Sequence, residues 1–96
     1  MRYSSQRVIT AQSERIGLDD ESVYLRGDEA QSIGIDGSGA GAASPGARFC
    51  LINDSAHDAI FTPDTPQTVA RGTSLGIPAM SSRTLELSPQ GDWIVV

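Results

Sequence analysis

Lysine is missing from this sequence: all seven basic residues are arginine, set against twelve aspartates and glutamates, for a formal net charge of −5 and a pI near 4.5. A surface of that sign cannot neutralise a long phosphate footprint, so no nucleic-acid partner is expected. The arginine-only usage reads first as the nucleotide composition of the source, and second as a planar cation suited to fixed pairing at interfaces. Cysteine is reduced to Cys50, which excludes an internal disulfide and a multi-cysteine zinc site. Between Phe49 and Leu51 it reads as a small buried hydrophobe. No long hydrophobic run is present, so no membrane span is expected. The polar start Met1-Arg2-Tyr3-Ser4-Ser5-Gln6-Arg7 lacks the apolar centre of a secretory signal, and the chain is expected to be cytoplasm-made and complete.

Aromatic residues are few: Tyr3, Tyr24, Phe49, Phe61 and Trp93. With 96 residues there is one domain at most, burying about 60–65% of the surface its unfolded chain exposes. A monomer of that size is marginal, and self-association would supply further burial.

What the sequence does contain is two-residue periodicity broken by turn residues. Leu85 and Leu87 alternate with Thr84, Glu86 and Ser88, as in a half-buried strand. Pro89-Gln90-Gly91-Asp92 then supplies a turn and Trp93-Ile94-Val95-Val96 a second strand, predicting a terminal β-hairpin. Upstream, Val23 and Leu25 share one face of a strand over residues 22–26, and Ile33 and Ile35 one face of another over 31–36. Residues 37–46 form a connection of small residues, expected to be mobile and without helix. Residues 47–53 are apolar on both faces and are expected to be central. A polar turn at 53–58 leads into a return strand, Ala59-Ile60-Phe61-Thr62, which Pro63 and Pro66 bring to an end. Two further short strands flank Arg71-Gly72-Thr73. The whole predicts an all-β fold, a small β-sandwich or jelly-roll-like module of about eight short strands over residues 13–96. Residues 1–12 show no sustained period and read either as a frayed terminus or as an extended N-terminal arm lying along a neighbouring subunit, with Arg7-Val8-Ile9-Thr10-Ala11 a candidate short strand within it.

Each chemical motif has a plainer reading beside it. Gly37-Ser38-Gly39-Ala40-Gly41-Ala42 matches the dinucleotide fingerprint, but Pro45-Gly46 cuts off the helix that would hold a pyrophosphate, so no cofactor is expected. His57 stands with Asp54, Ser55 and Asp58 in one turn, where such side chains ordinarily serve local backbone groups rather than a catalytic triad. Asp54, Asp58 and Asp64, or Asp19, Asp20 and Glu21, gather oxygens of the kind calcium takes; without EF-hand spacing the default is a solvated acidic face, and no metal is expected. Arg26-Gly27-Asp28 spells an integrin-recognition tripeptide, and Gly-Asp is also ordinary turn chemistry. No enzyme is expected.

The order of features from Phe49 to Val96 resembles a module of tailed-bacteriophage structural proteins, found in tail fibres, tailspikes and small capsid decoration (cement) proteins. The matching parts are Phe49-Cys50-Leu51-Ile52-Asn53-Asp54-Ser55, Ala59-Ile60-Phe61-Thr62, Pro78-Ala79-Met80-Ser81-Ser82-Arg83-Thr84-Leu85-Glu86-Leu87 and Gly91-Asp92-Trp93-Ile94-Val95-Val96. They cover about half of the chain, and Pro63 to Pro66 and Gly72-Thr73 depart from the pattern. The resemblance implies a stand-alone decoration protein made in the host cytoplasm, a β-sandwich forming a homotrimer on the capsid exterior. Its partners would be itself and the major capsid protein, whose seams it would stabilise. The alternative is a tail-fibre or receptor-binding module touching a host surface glycan or protein. Tyr3, Arg7, Val8 and Ile9 are the expected arm contacts to a neighbour. Phe49, Leu51, Ile60, Leu85, Leu87 and Trp93 are the expected core, with an interface role the rival reading for Trp93.

Overall fold

A computed structural model of the chain describes residues 6–17 and 20–96 and contains ten strands. They are β1 (Gln6–Ile9), β2 (Ser13–Arg15), β3 (Ser22–Leu25), β4 (Ser32–Ile35), β5 (Arg48–Asn53), β6 (Ala59–Pro63), β7 (Thr68–Val69), β8 (Leu75–Ile77), β9 (Ser82–Leu87) and β10 (Asp92–Val95). Two mixed sheets result, one of six strands in the order β1-β3-β5-β9-β10-β7 and one of four in the order β2-β4-β6-β8. The fold is all-β and consistent with a small β-sandwich. No helix among the described residues is long and apolar enough to cross a membrane.

The first six strands are wound as a coil. β1, β3 and β5 lie parallel in the larger sheet, while β2, β4 and β6 lie parallel in the smaller one. Each pair, β1–β2, β3–β4 and β5–β6, is therefore one rung, and the strand in the opposite sheet serves as the crossover that parallel pairing demands. The corners are bonded in step. Arg26 N–H donates to Ile9 O at 3.0 Å and Asp54 N–H to Leu25 O at 3.0 Å; Ser32 N–H donates to Gln12 O at 2.7 Å and Ile60 N–H to Gln31 O at 2.9 Å. The remaining strands close the coil by reversal: β9 pairs antiparallel with β5, β10 with β9 and β8 with β6.

Parallel stacking puts equivalent side chains into columns. Val23 stands over Leu51, and Ile33 over Phe61; Ile9, Leu25 and Asn53 share another column. Alternation aims these residues at the space between the sheets, where each fully buried Leu, Ile or Phe contributes roughly 1.5–3 kcal/mol. Trp93 is wholly buried at the larger sheet's closing end, its ring edge-on to Phe49 with centroids 4.9 Å apart. Phe49 meets Phe61 of the facing sheet in the same manner at 5.4 Å, so three rings bind the two layers. The indole N–H donates to Gln67 Oε1 at 3.0 Å, leaving no unpartnered polar atom at the centre of the ring cluster.

Buried polar side chains hold the corners. Gln31 donates from Nε2 to Ile9 O and Ala11 O, at 2.9 and 3.0 Å, and accepts from Gly27 N–H at 3.0 Å, joining the first rung to the second. Asn53 donates from Nδ2 to His57 O at 2.8 Å and Ile77 O at 2.9 Å, with Pro78 O at 3.2 Å, and accepts from Ser55 Oγ at 2.7 Å. It thereby ties the third rung to the loop after β8. Gly37 is required for a different reason: a Cβ there would stand 1.8 Å from Asp64 O, so only glycine lets the 37–46 segment cross the end of β6. Within that segment Gly37 is buried and Ala43 packs against the core, as does Ala47 just after it, while Ser38 to Gly41 and Ser44 to Gly46 are exposed.

Several expectations change. The strand over Ala59-Ile60-Phe61-Thr62 was expected to return along its predecessor; it enters the other sheet and pairs with β4, because the 54–58 corner carries the chain across the core. Ile60, expected in the core, faces outward and is 39% exposed, since alternation in β6 aims Ala59, Phe61 and Pro63 inward. The other expected core residues, Phe49, Leu51, Leu85, Leu87 and Trp93, are buried. Of the expected arm over residues 1–12, Gln6–Ile9 forms the edge strand of the larger sheet, because Ile9 fits the column headed by Leu25. Tyr3, Leu18 and Asp19 lie outside the described residues.

Candidate association surface

The larger sheet buries one face and leaves the other open. Reading across its register, Val8, Tyr24, Ile52 and Ser82 form one row, and Gln6, Ser22, Cys50 and Thr84 the next. Val8 is 54% exposed, while Tyr24, Cys50 and Ile52 are half-buried by their row neighbours. Ile94, opposite Glu86, and Val96, bonded to Thr84 O, extend the apolar character towards the far edge. Met80 is 71% exposed beside Ile52, where Ile52, Asn53, Asp54, Met80, Ser81 and Ser82 line a shallow hollow of about 190 Å³. A second hollow, about 290 Å³, runs between Ser22, Arg48, Cys50 and Thr84.

Two charge pairs on this face are matched within the chain. Arg48 Nη2 lies 2.6 Å from Glu86 Oε1, a cross-strand pair set by the β5–β9 register. Arg26 Nε lies 2.9 Å from Asp54 Oδ2, and its guanidinium stacks over the Tyr24 ring at 5.4 Å. Neutralised charge around exposed apolar side chains lowers the desolvation cost of covering them. The outer face of the smaller sheet has another character: its row Ser13, Ser32, Ile60 and Gly76 carries one large apolar side chain, and Arg15 lies between Asp36 and Asp64. Hydrogen bonds to Asp64 and then Asp36 raise the Arg15 pKa above its usual value, so this cation stays charged under all ordinary conditions.

The expected arm contacts fall in different places. Val8 presents an exposed apolar side chain on the open face. Ile9 is buried in the core, and Arg7 is engaged inside the chain, with Nη1 3.0 Å from both Asp20 Oδ2 and Arg15 O and Nη2 3.6 Å from Glu14 Oε2. Arg7 and Glu14 occupy the inward positions that Val23, Leu51 and Ile33, Phe61 take in the next rungs, so the open end of the coil is closed by charge.

The polar turn around His57 serves the backbone. Ser55 Oγ accepts from His57 N–H at 3.2 Å, His57 O accepts from Asn53, and Asp58 Oδ1 accepts from Ala79 N–H at 2.9 Å. These bonds hold the third corner, and Asp54 is paired with Arg26. Among the described residues no group of three His, Cys, Asp or Glu side chains is arranged to hold a metal ion. Sequence reasoning missed the row Val8, Tyr24, Ile52. Its signal was present in the second apolar face of residues 47–53, which was read as a sign of central burial. Neither a protein-family model nor a curated protein matches this chain.

Proposed function

We propose that the chain is a phage capsid decoration (cement) protein, a non-enzymatic homo-oligomer that seats on the capsid exterior and stabilises it across capsomer seams. The observation that carries this reading is the open face of the six-stranded sheet, where Val8, Tyr24, Cys50, Ile52 and Met80 stand among matched charges. The resemblance of residues 49–96 to phage structural modules supports it from the sequence side. Six strands at about 4.8 Å spacing and at most about 20 Å long make a face of roughly 500 Å², smaller than the roughly 800 Å² per partner of a standard interface, so several weak contacts would act together. Decoration suits that scale, because each copy binds only the assembled particle and stabilises it by mass action. Tyr3, ahead of β1, is the further proposed contact.

The test combines mass in solution with binding to capsids. Analytical ultracentrifugation should give an oligomer, and cryo-electron microscopy of tailed-phage capsids mixed with the chain should place it on their exterior. Val8→Lys and Met80→Lys together should weaken capsid binding at least about tenfold while the thermal transition stays in place, since both side chains are exposed. Deleting residues 1–5 should weaken it separately. A monomer that leaves capsids bare rules the proposal out.

A further inference from the structure

A cleft of about 600 Å³ lies at the other end of the open sheet, lined by Thr68, Arg71, Ser88, Gln90, Asp92 and Ile94. Its wall is a tight turn. Val69 and Gly72 exchange backbone hydrogen bonds, Val69 N–H to Gly72 O at 3.0 Å and Gly72 N–H to Val69 O at 2.8 Å. Between them Ala70 has φ 49° and Arg71 φ 65°. Positive φ at both central residues marks the type I′ turn, which natural chains normally fill with Asn-Gly. Ala-Arg is costly there, and such strain persists only where the surroundings enforce it.

The surroundings do enforce it. Asp92 Oδ1 accepts from Arg71 N–H at 3.0 Å and from Thr68 Oγ1 at 2.6 Å, and Ala70 N–H donates to Trp93 O at 2.8 Å. Arg71 is thus fixed at the cleft with its side chain exposed. Arg7, Arg15, Arg26 and Arg48 pair with carboxylates, whereas Arg71 and Arg83 have no ion pair among the described residues, and Arg83 Nη1 donates instead to Ser82 O at 2.8 Å. Glycine at position 71 would relieve the turn; the guanidinium held there is what the strain retains.

We infer that this cleft binds a carboxylate-bearing saccharide of the uronic- or sialic-acid type. Arg71 would take the carboxylate through paired N–H donors. Hydroxyl groups of the ring would donate to Asp92 Oδ2, which has no donor among the described residues, and bond to the Gln90 amide and the Ser88 hydroxyl. Ile94, 38% exposed, gives the C–H face of a ring an apolar floor. Asp92 favours a saccharide over an acidic peptide, because a peptide brings carboxylates with no hydroxyl row to engage an acceptor. The inference stands apart from the decoration reading, since it uses neither Val8 nor the rows around Ile52.

The test is an NMR titration of the full chain with digalacturonate, with sialyllactose against lactose, and with a hexaglutamate peptide. At least one acidic saccharide should shift the amides of Arg71, Gln90 and Asp92 saturably at or below about 10 mM, with lactose at least about tenfold weaker. Arg71→Gly should abolish those shifts while the melting temperature holds or rises, because the turn relaxes. Arg71→Lys, keeping charge and strain but losing the paired donors, should weaken binding several-fold. Saturation by neither acidic saccharide, equal binding of lactose, tighter binding of hexaglutamate, or undiminished binding by Arg71→Gly overturns the inference.

Discussion

Replacing Asn53 with leucine sets apolar packing directly against a buried polar bracket. The position lies in the column of Ile9 and Leu25, so a leucine of similar size would extend an apolar stack, and hydrophobicity alone favours the change by about 1 kcal/mol. Against that, the Nδ2 bonds to Ile77 O and His57 O disappear, with the weaker contact to Pro78 O. Ser55 Oγ loses its acceptor too, but it lies 3.1 Å from His57 O and can satisfy that carbonyl. Pro78 O keeps Ser81 Oγ at 2.6 Å and Ser81 N–H at 3.2 Å, so Ile77 O is the carbonyl that loses out, at about 1–3 kcal/mol. The net loss is about 1 kcal/mol, set against the roughly 5–14 kcal/mol that a domain of this size possesses. With a urea m-value near 1 kcal/mol/M, the midpoint should fall by about 1 M at unchanged m. Asn53→Asp should fall further, since it turns an anion towards two carbonyls. Urea titration followed by Trp93 fluorescence measures all three proteins, and an Asn53→Leu chain as stable as the parent, or an Asn53→Asp chain more stable than Asn53→Leu, refutes the reasoning.

The remaining predictions concern packing and the end of the coil. Trp93→Ala removes the ring between Phe49 and Phe61 and should cost about 3–5 kcal/mol, read as loss of the cooperative thermal transition in circular dichroism. Gln67→Leu should cost about 1–3 kcal/mol by leaving the indole N–H unpaired, measured in the same way. Ile60→Thr should change stability by less than about 1 kcal/mol in urea titration, whereas Phe61→Ala one residue on should cost about 3–5 kcal/mol. Arg7→Val completes the column of Val23 and Leu51 but removes the inward charge guarding the open edge, so association beyond the parent's own assembly should rise in size-exclusion chromatography while the melting temperature changes little.

The alternation of Val23 with Leu25, Ile33 with Ile35, and Leu85 with Leu87 made strands and their buried faces legible before any coordinates. It did not make partners legible. A two-residue period says which side chains point inward and is silent on which strand lies alongside, so the step from Phe49 to Phe61 was read as a hairpin although it crosses the sandwich. Ile60 was misplaced because apolar character was weighed above parity with Phe61. β1 was legible as a candidate short strand over residues 7–11, but not as an edge strand of this sheet, and Arg7, which breaks its apolar pattern, is the charge closing the coil. At the candidate surface, Tyr24 and Ile52 were visible as strand residues, but their shared row with Val8 depends on parallel register over separations no local pattern encodes. The Ala70-Arg71 turn carried no signal, since its residues lack turn propensity and are held there by Asp92 from another strand.

Winding the chain in rungs also sets an order in time. β1 has a single neighbour, β3, and β2 a single neighbour, β4, so the first rung opens without disturbing the rest. β5 lies between β3 and β9 beneath the three rings and opens only with the whole molecule. Amide protons should therefore exchange with solvent as a front moving inward from the charged end, Arg26 and Ser32 losing protection as the carbonyls of Ile9 and Gln12 depart, and those of Cys50 and Leu51 last. Among the three wound rungs, the first breathes and the third holds.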